Sequence, residues 1–279
     1  MTEALPVRPR AIAAISERDA QGEIAAIYAD IRATFRAGVV NLLWRHLATI
    51  DGALPWAWTA LKPLFAGGHI AAAANGFRAT RPLPRVLRLP REALACAGLG
   101  IAAQADVTNL LAAYDRVNPL SLIASQLLRD ALAGQPSATV WPGAPAQDVG
   151  SPLPLPPLPD LDALPPTEAA LVLRLNRLGS IGPEPVLTSL YRHLALWPGA
   201  LALAYAVLAP LDAAGELQAA GTASLRLAEE HAAPLEGLIP TADLPPCAAA
   251  LDAALGRLIE DSLMRMTVAA SVLRAAFPG

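Results

Sequence analysis

Few polar residues in this chain sit where they could act on a small molecule, and those few lie inside apolar runs. VVNLLWRHLA holds Asn41, Arg45 and His46; VLTSLYRHLA holds Thr188, Ser189, Arg192 and His193; LAAYDRVNPLSLI holds Tyr114, Asp115, Asn118 and Ser121. A guanidinium can clamp a carboxylate, an imidazole can exchange a proton near neutral pH, and an amide can hold a water molecule. Each also has a plainer role. A repeated arginine is read first as a structural anchor, capping carbonyls or pairing a carboxylate, and a half-buried histidine as a satisfied one. Asn118 precedes Pro119, which suits a turn or a helix N-cap as well as a ligand contact. No third ligand accompanies the histidines, so no metal is expected, and no nucleophile elbow, dinucleotide fingerprint, P-loop or zinc-protease motif is present.

The elements that must position these residues come twice. LWRHLATIDGALPWAWTALKPL (43–64) and LYRHLALWPGALALAYAVLAPL (190–211) agree without gaps at 12 of 22 positions, 147 residues apart. Arg45/Arg192, His46/His193, Gly52/Gly199 and Pro63/Pro210 are among the matches. A period this long is no solenoid repeat. It implies a duplicated unit of roughly 120 residues, with the copies facing each other across a pseudo-twofold axis and a cleft between them, the default place for a ligand. The expected organisation is a first helical repeat over 1–136, a proline-rich connector over 137–166 and a second helical repeat over 167–279.

The elements themselves read as helices. EIAAIYADIRATF sets Ile24, Ile27, Ile31 and Phe35 at 3–4 spacing, and the Ala/Leu-rich runs show no period-2 alternation. The fold class is all-α. Residues 134–166 hold ten of the 27 prolines, so this stretch is an extended connector; its leucines imply that it lies against the body.

Bulk properties narrow the function. With net charge −3 there is no basic patch for nucleic acid. Cys96 and Cys247 stand alone, which suits a reducing cytoplasm, and the first residues lack an apolar signal segment. Residues 194–211 carry no charge over a membrane-span length, but the matching stretch 47–64 contains Asp51 and Lys62, so both are read as buried elements rather than as membrane spans.

GEIAAIYADIRATFR, VVNLLWRHLATIDGALPWAW, YDRVNPLSLI, the proline-rich connector and LYRHLALWPGAL together resemble the group I 2-haloacid dehalogenases, from about residue 20 to the end. The resemblance implies an all-α fold of two similar halves, often dimeric, without a cofactor. It implies hydrolysis of 2-haloalkanoic acids by direct attack of water on C2, without a covalent enzyme ester. A first-half Asn helps to hold the water; its match is Asn118. A second-half Asp takes the proton; the matching position, counted back from Trp197, is Ser189, beside Thr188. Neither hydroxyl ionises at neutral pH. Glu184, five residues earlier in GPEPVL, is the first candidate base, with His193 and His46 as others. Glu184, Asn118 and Ser189 are therefore the expected catalytic residues. Val39 and Leu42, smaller than the family's pocket aromatic, join Asn41, Thr188 and Ser121 as expected substrate contacts. The alternative is a relative that binds a small apolar carboxylic acid without turnover, or one whose cleft is filled.

Overall fold

Ala/Leu runs interrupted by glycine and proline become a succession of helices, and no strand occurs among the described residues. The computed structural model describes residues 12–134, 155–182, 184–239 and 244–278. The first segment forms α1 (Gly22–Phe35), α2 (Leu42–Leu47), α3 (Ala53–Ala66), α4 (His69–Thr80), α5 (Arg91–Cys96) and the long α6 (Ile101–Ala133). The later segments form α7 (Pro166–Leu175), α8 (Ser189–Leu194), α9 (Pro198–Ala213), α10 (Glu216–Ala232), α11 (Ala248–Arg257) and α12 (Met264–Ala276). A π-helical stretch, Leu258–Leu263, joins the last two.

The duplicated block takes the same local form in both places. α2 and α8 are each six residues long, and a short turn leads each into a helix that carries a proline near its end, Pro63 in α3 and Pro210 in α9. The turns that follow use Gly68 (φ 73°) and Gly215 (φ 73°), 147 residues apart, to enter α4 and α10. This left-handed conformation costs a residue with a Cβ roughly 1 kcal/mol or more, which explains glycine at both.

Two apolar cores result, and each draws on both ends of the chain. Phe35, Trp44, Trp58 and Phe65 stack edge-on or tilted in the first, which also takes in Leu120–Leu128 of α6 and Leu251 and Leu255 of α11. The second is built on Leu190, Tyr191, Leu201 and Leu208 and takes in Val107–Leu111 of α6 and Val268–Ala276 of α12. α6 and α12, packed on each other, thus run through both cores. The connector has no helix or strand at 155–160, with Leu155, Leu161 and Leu164 against the second core; residues 137–154 lie outside the described residues.

Asn118-Pro119 is not a turn. Both lie in the middle of α6, and every residue from Val117 to Ser125 is buried. Proline inside a helix removes a backbone hydrogen bond and costs about 3 kcal/mol; burial of this apolar stretch against α12 outweighs that. No single described helix is long and apolar enough to span a bilayer; α9 and α10 reach that length only as a pair, bent by 83°.

Candidate active site

Three helices each present a pair of polar side chains one turn apart to one cavity of about 580 Å³. α2 supplies Asn41, at its N-cap, and Arg45; α6 supplies Tyr114 and Asn118; α8 supplies Ser189 and His193. Spacing of i and i+4 places both members of a pair on one helical face. Val39, Ala113 and Val117 form part of the apolar wall. Glu17 and Asp19, ahead of α1, and Leu155 to Asp160 of the connector complete the lining.

The polar groups are held firmly. Asn41 caps α2 by accepting from the Leu43 N–H at 2.9 Å, and its Nδ2 donates to Asn118 Oδ1 at 3.4 Å. Asn118 Nδ2 is buried and has no partner among the described residues, and the same holds for Arg45 Nε. Neither Arg45 nor Arg192 meets a carboxylate within ion-pair distance among the described residues, so of the two anchoring roles expected for the repeated arginines, pairing a carboxylate is not seen there. Burial pulls the Arg192 guanidinium below its ordinary pKa, and the like charge of Arg45 adds to this.

His193 is fully buried. Its Nε2 lies 3.0 Å from the Pro156 carbonyl, which can only accept, so Nε2 carries the proton and Nδ1 accepts from the Tyr114 hydroxyl at 2.7 Å. Burial lowers its pKa to about 4; the Pro156 carbonyl opposes this, and Arg192 and Arg45 add to it. Burial likewise pushes the Tyr114 hydroxyl above its ordinary range, while the nearby Ser189 hydroxyl draws it down. The imidazole is therefore neutral at pH 7, and the Tyr114 hydroxyl carries its proton.

The mouth is pinned by Glu17. One of its carboxylate oxygens accepts from the Val40 N–H at 2.7 Å and the other from Arg32 at 2.5 Å. The Ile15 N–H donates to the Arg45 carbonyl at 3.0 Å, which ties the segment before α1 to α2.

No protein-family model and no curated protein matches the sequence. Solved structures do match. A D-2-haloacid dehalogenase mutant superposes with a TM-score of 0.76 at 17% identity, over 98% of this chain and 97% of that one. A second mutant structure, in complex with D-2-CPA, gives 0.71 at 17% identity over 98% and 99%, and a D-2-haloacid dehalogenase in complex with L-LA gives 0.73 at 17% over 99% and 99%. The chain has the D-2-haloacid dehalogenase fold. The resemblance read in the sequence therefore holds at the level of fold, over nearly the whole length.

On this dehalogenase fold the expected site residues separate into two groups. Asn118, Ser189, Asn41 and Val39 meet at the cavity. Leu42, Thr188, Ser121 and Glu184 do not line it. Thr188 is buried elsewhere, and both its N–H and its hydroxyl donate to Asn176 Oδ1, at 3.0 and 3.1 Å. Ser121 is fully buried one turn beyond Asn118. Glu184 is exposed, and the backbone two residues after it is tied to α12 and the π-helical stretch before it. The Val186 N–H donates to Asp261 at 2.5 Å, the Val186 carbonyl accepts from Arg265, and Arg265 also donates to the Asn176 carbonyl. Glu184 is thus corrected as the base. His46 stands outside as well, its Nδ1 bonded to the Ala13 carbonyl at 2.7 Å.

Matched positions of the duplicated block do not do matched work. Asn41 and Arg45 face the cavity from α2, but their counterparts Thr188 and Arg192 do not line it; from α8 the residues that do are Ser189 and His193. The two faces differ by one residue, about 100° of helix rotation. Tyr114 stands among the polar residues noted in the sequence but not among the expected catalytic residues or substrate contacts, and the segment 16–19 and the connector at 155–160 are not among them either. Tyr114 had a signal, standing one helical turn before Asn118; the other two have none in local spacing.

Proposed function

We propose that the chain is a 2-haloacid dehalogenase-like hydrolase. A small 2-halocarboxylic acid enters the cavity with its carboxylate on Arg45, and water held by the Asn118 amide attacks C2. The C–O bond forms as the carbon–halogen bond breaks; halide leaves with the bonding pair, and the water gives up a proton. No ester to the protein is formed.

One observation carries this reading. Two nitrogens buried in the cavity region, Arg45 Nε and Asn118 Nδ2, have no partner among the described residues. Buried donors are almost always satisfied, so an anion and a polar molecule beside them answer a real need. The cavity also falls in the range of roughly 300–1,000 Å³ usual for small-molecule sites. The fold supports the reading, since the neighbours named above are D-2-haloacid dehalogenases.

A second reading, binding of a small apolar carboxylic acid without turnover, is favoured by Ser189, whose hydroxyl cannot hold a water proton at neutral pH. Halide release from D- and L-2-chloropropionate and 2-bromopropionate, by wild type and by Ser189→Asp, separates the two. Release by wild type supports the hydrolase. Release by Ser189→Asp alone means binding without turnover, and silence from both refutes a dehalogenase site.

A further inference from the structure

With Ser189 unable to act as a base, the proton of the attacking water needs another acceptor. The groups that could receive it form a continuous chain. Ser189 and Tyr114 line the cavity side by side, the Tyr114 hydroxyl donates to His193 Nδ1 at 2.7 Å, and His193 Nε2–H donates to the Pro156 carbonyl at 3.0 Å. We propose that Tyr114 and His193 together replace the absent carboxylate: the attacking water passes its proton to Tyr114 Oη while Tyr114 passes its own to His193 Nδ1. This rests on the hydrolase reading above.

The step balances. The C2–O bond forms, the carbon–halogen bond breaks with its pair on the halide, Tyr114 ends as it began, and His193 becomes an imidazolium. The Pro156 carbonyl then faces a cationic N–H, a stronger hydrogen bond than the neutral one. Tyr114 is the group that touches the water; His193 acts through it as a positioning residue and proton acceptor. The cavity's carboxylates lie on the segment before α1 and on the connector, not in the hydrogen-bonded chain that runs from Tyr114 to His193. Glu17 is held by Arg32 and Val40, Asp19 is capped by Ser16 at 2.6 Å, and Asp160 stands exposed on the connector. The charged and titratable groups that face the imidazole are Arg192 on its own helix, Arg45 on α2, Tyr114 on α6 and Asp160 on the connector. Burial leaves His193 with a pKa of about 4, close to that of an ordinary carboxylate, roughly 4. The relay therefore ends in a base of about the strength of the group it replaces.

The test measures halide release from 2-bromopropionate by wild type, Tyr114→Phe, His193→Asn, Ser189→Asp and Ser189→Asp/His193→Asn, with dissociation constants for propionate taken by calorimetry. His193→Asn keeps an oxygen to accept from Tyr114 but offers no base. Both single variants at the relay should lose about 100-fold or more in kcat, the usual contribution of a general base, with propionate affinity within about threefold of wild type. The wild-type pH profile should fall on the acid side with an apparent pKa of about 4, the value of His193. Ser189→Asp/His193→Asn should recover activity, which also shows that replacing His193 leaves the fold intact. Wild-type rates in Tyr114→Phe or in His193→Asn, or a double variant as inactive as His193→Asn alone, would overturn the relay while leaving the hydrolase reading in place. A wild type that releases no halide would overturn both.

Discussion

Asp115→Asn probes the frame on which the candidate site hangs. Asp115 stands between Tyr114 and Asn118 on α6 with its side chain 1% exposed. Its carboxylate accepts from Arg81 at 2.7 Å, Arg78 at 3.3 Å, Ser271 at 2.6 Å and Arg274, so it joins α6 to the end of α4 and to α12. Burial alone would raise its pKa, but Arg81, Ser271, Arg274 and Arg78 together hold it below the usual carboxylate range. The partners differ in what they lose. Arg274 is 44% exposed and Arg78 27%, so water screens both; Arg81 is 8% exposed and would be left a buried cation without its counter-charge. Breaking a buried pair in this way costs about 3–5 kcal/mol, or about 6–10 °C in Tm at roughly 2 °C per kcal/mol for a chain of this length. The sign with pH follows from the lowered pKa. The stabilisation is present above the unfolded carboxyl's pKa near 4 and is lost as pH falls through the lower folded value. Urea titrations of wild type and Asp115→Asn at pH 7, 4 and 2.5 should show a gap that is full at pH 7 and closes towards pH 2.5. A gap under about 1 kcal/mol at pH 7, or one unchanged by acid, would refute the assignment.

Other changes separate the cavity wall from its surroundings. Thr188→Val removes the hydroxyl's hydrogen bond to Asn176 while the backbone N–H keeps its own, and should cost about 0.5–1.5 kcal/mol in urea unfolding, leaving propionate affinity in calorimetry unchanged because Thr188 does not line the cavity. Glu184→Gln should leave halide release at the wild-type rate, since Glu184 is exposed and outside the lining. Gly199→Ala should destabilise by about 1–3 kcal/mol on thermal unfolding, because an added Cβ would stand 1.8 Å from the Ala97 carbonyl oxygen where the start of α9 meets the end of α5.

Much of this arrangement is legible in the chain, for reasons that also mark where legibility ends. Helices announce themselves through 3–4 spacing and Ala/Leu content, and the repeated block forms the same helix–turn–helix run in both places. Asn118 and Ser189 come from aligning motifs, and both reach the cavity. Rotation about a helix axis is another matter. Thr188 and Leu42 each lie one position from a lining residue, and a shift of one residue turns a side chain by about 100°. Glu184 was out of reach for a related reason: its loop is set by Arg265 and Asp261, more than 70 residues away in the chain. Asn118-Pro119 carries a local signal for a turn, and tertiary burial overrides it. The bond from Tyr114 to His193 joins residues 79 apart, and nothing in local spacing encodes it.

The carboxylate on Arg45 is the claim that most of this account depends on. Calorimetric titration of wild type and Arg45→Met with 2-chloropropionate, and of wild type with 2-chloropropionamide, tests it most directly. The account predicts binding of the acid by wild type, a loss of about 10- to 100-fold in Arg45→Met, as expected for one charged hydrogen-bonding partner, and no comparable heat from the amide. Equal affinity of the acid for both proteins would contradict it.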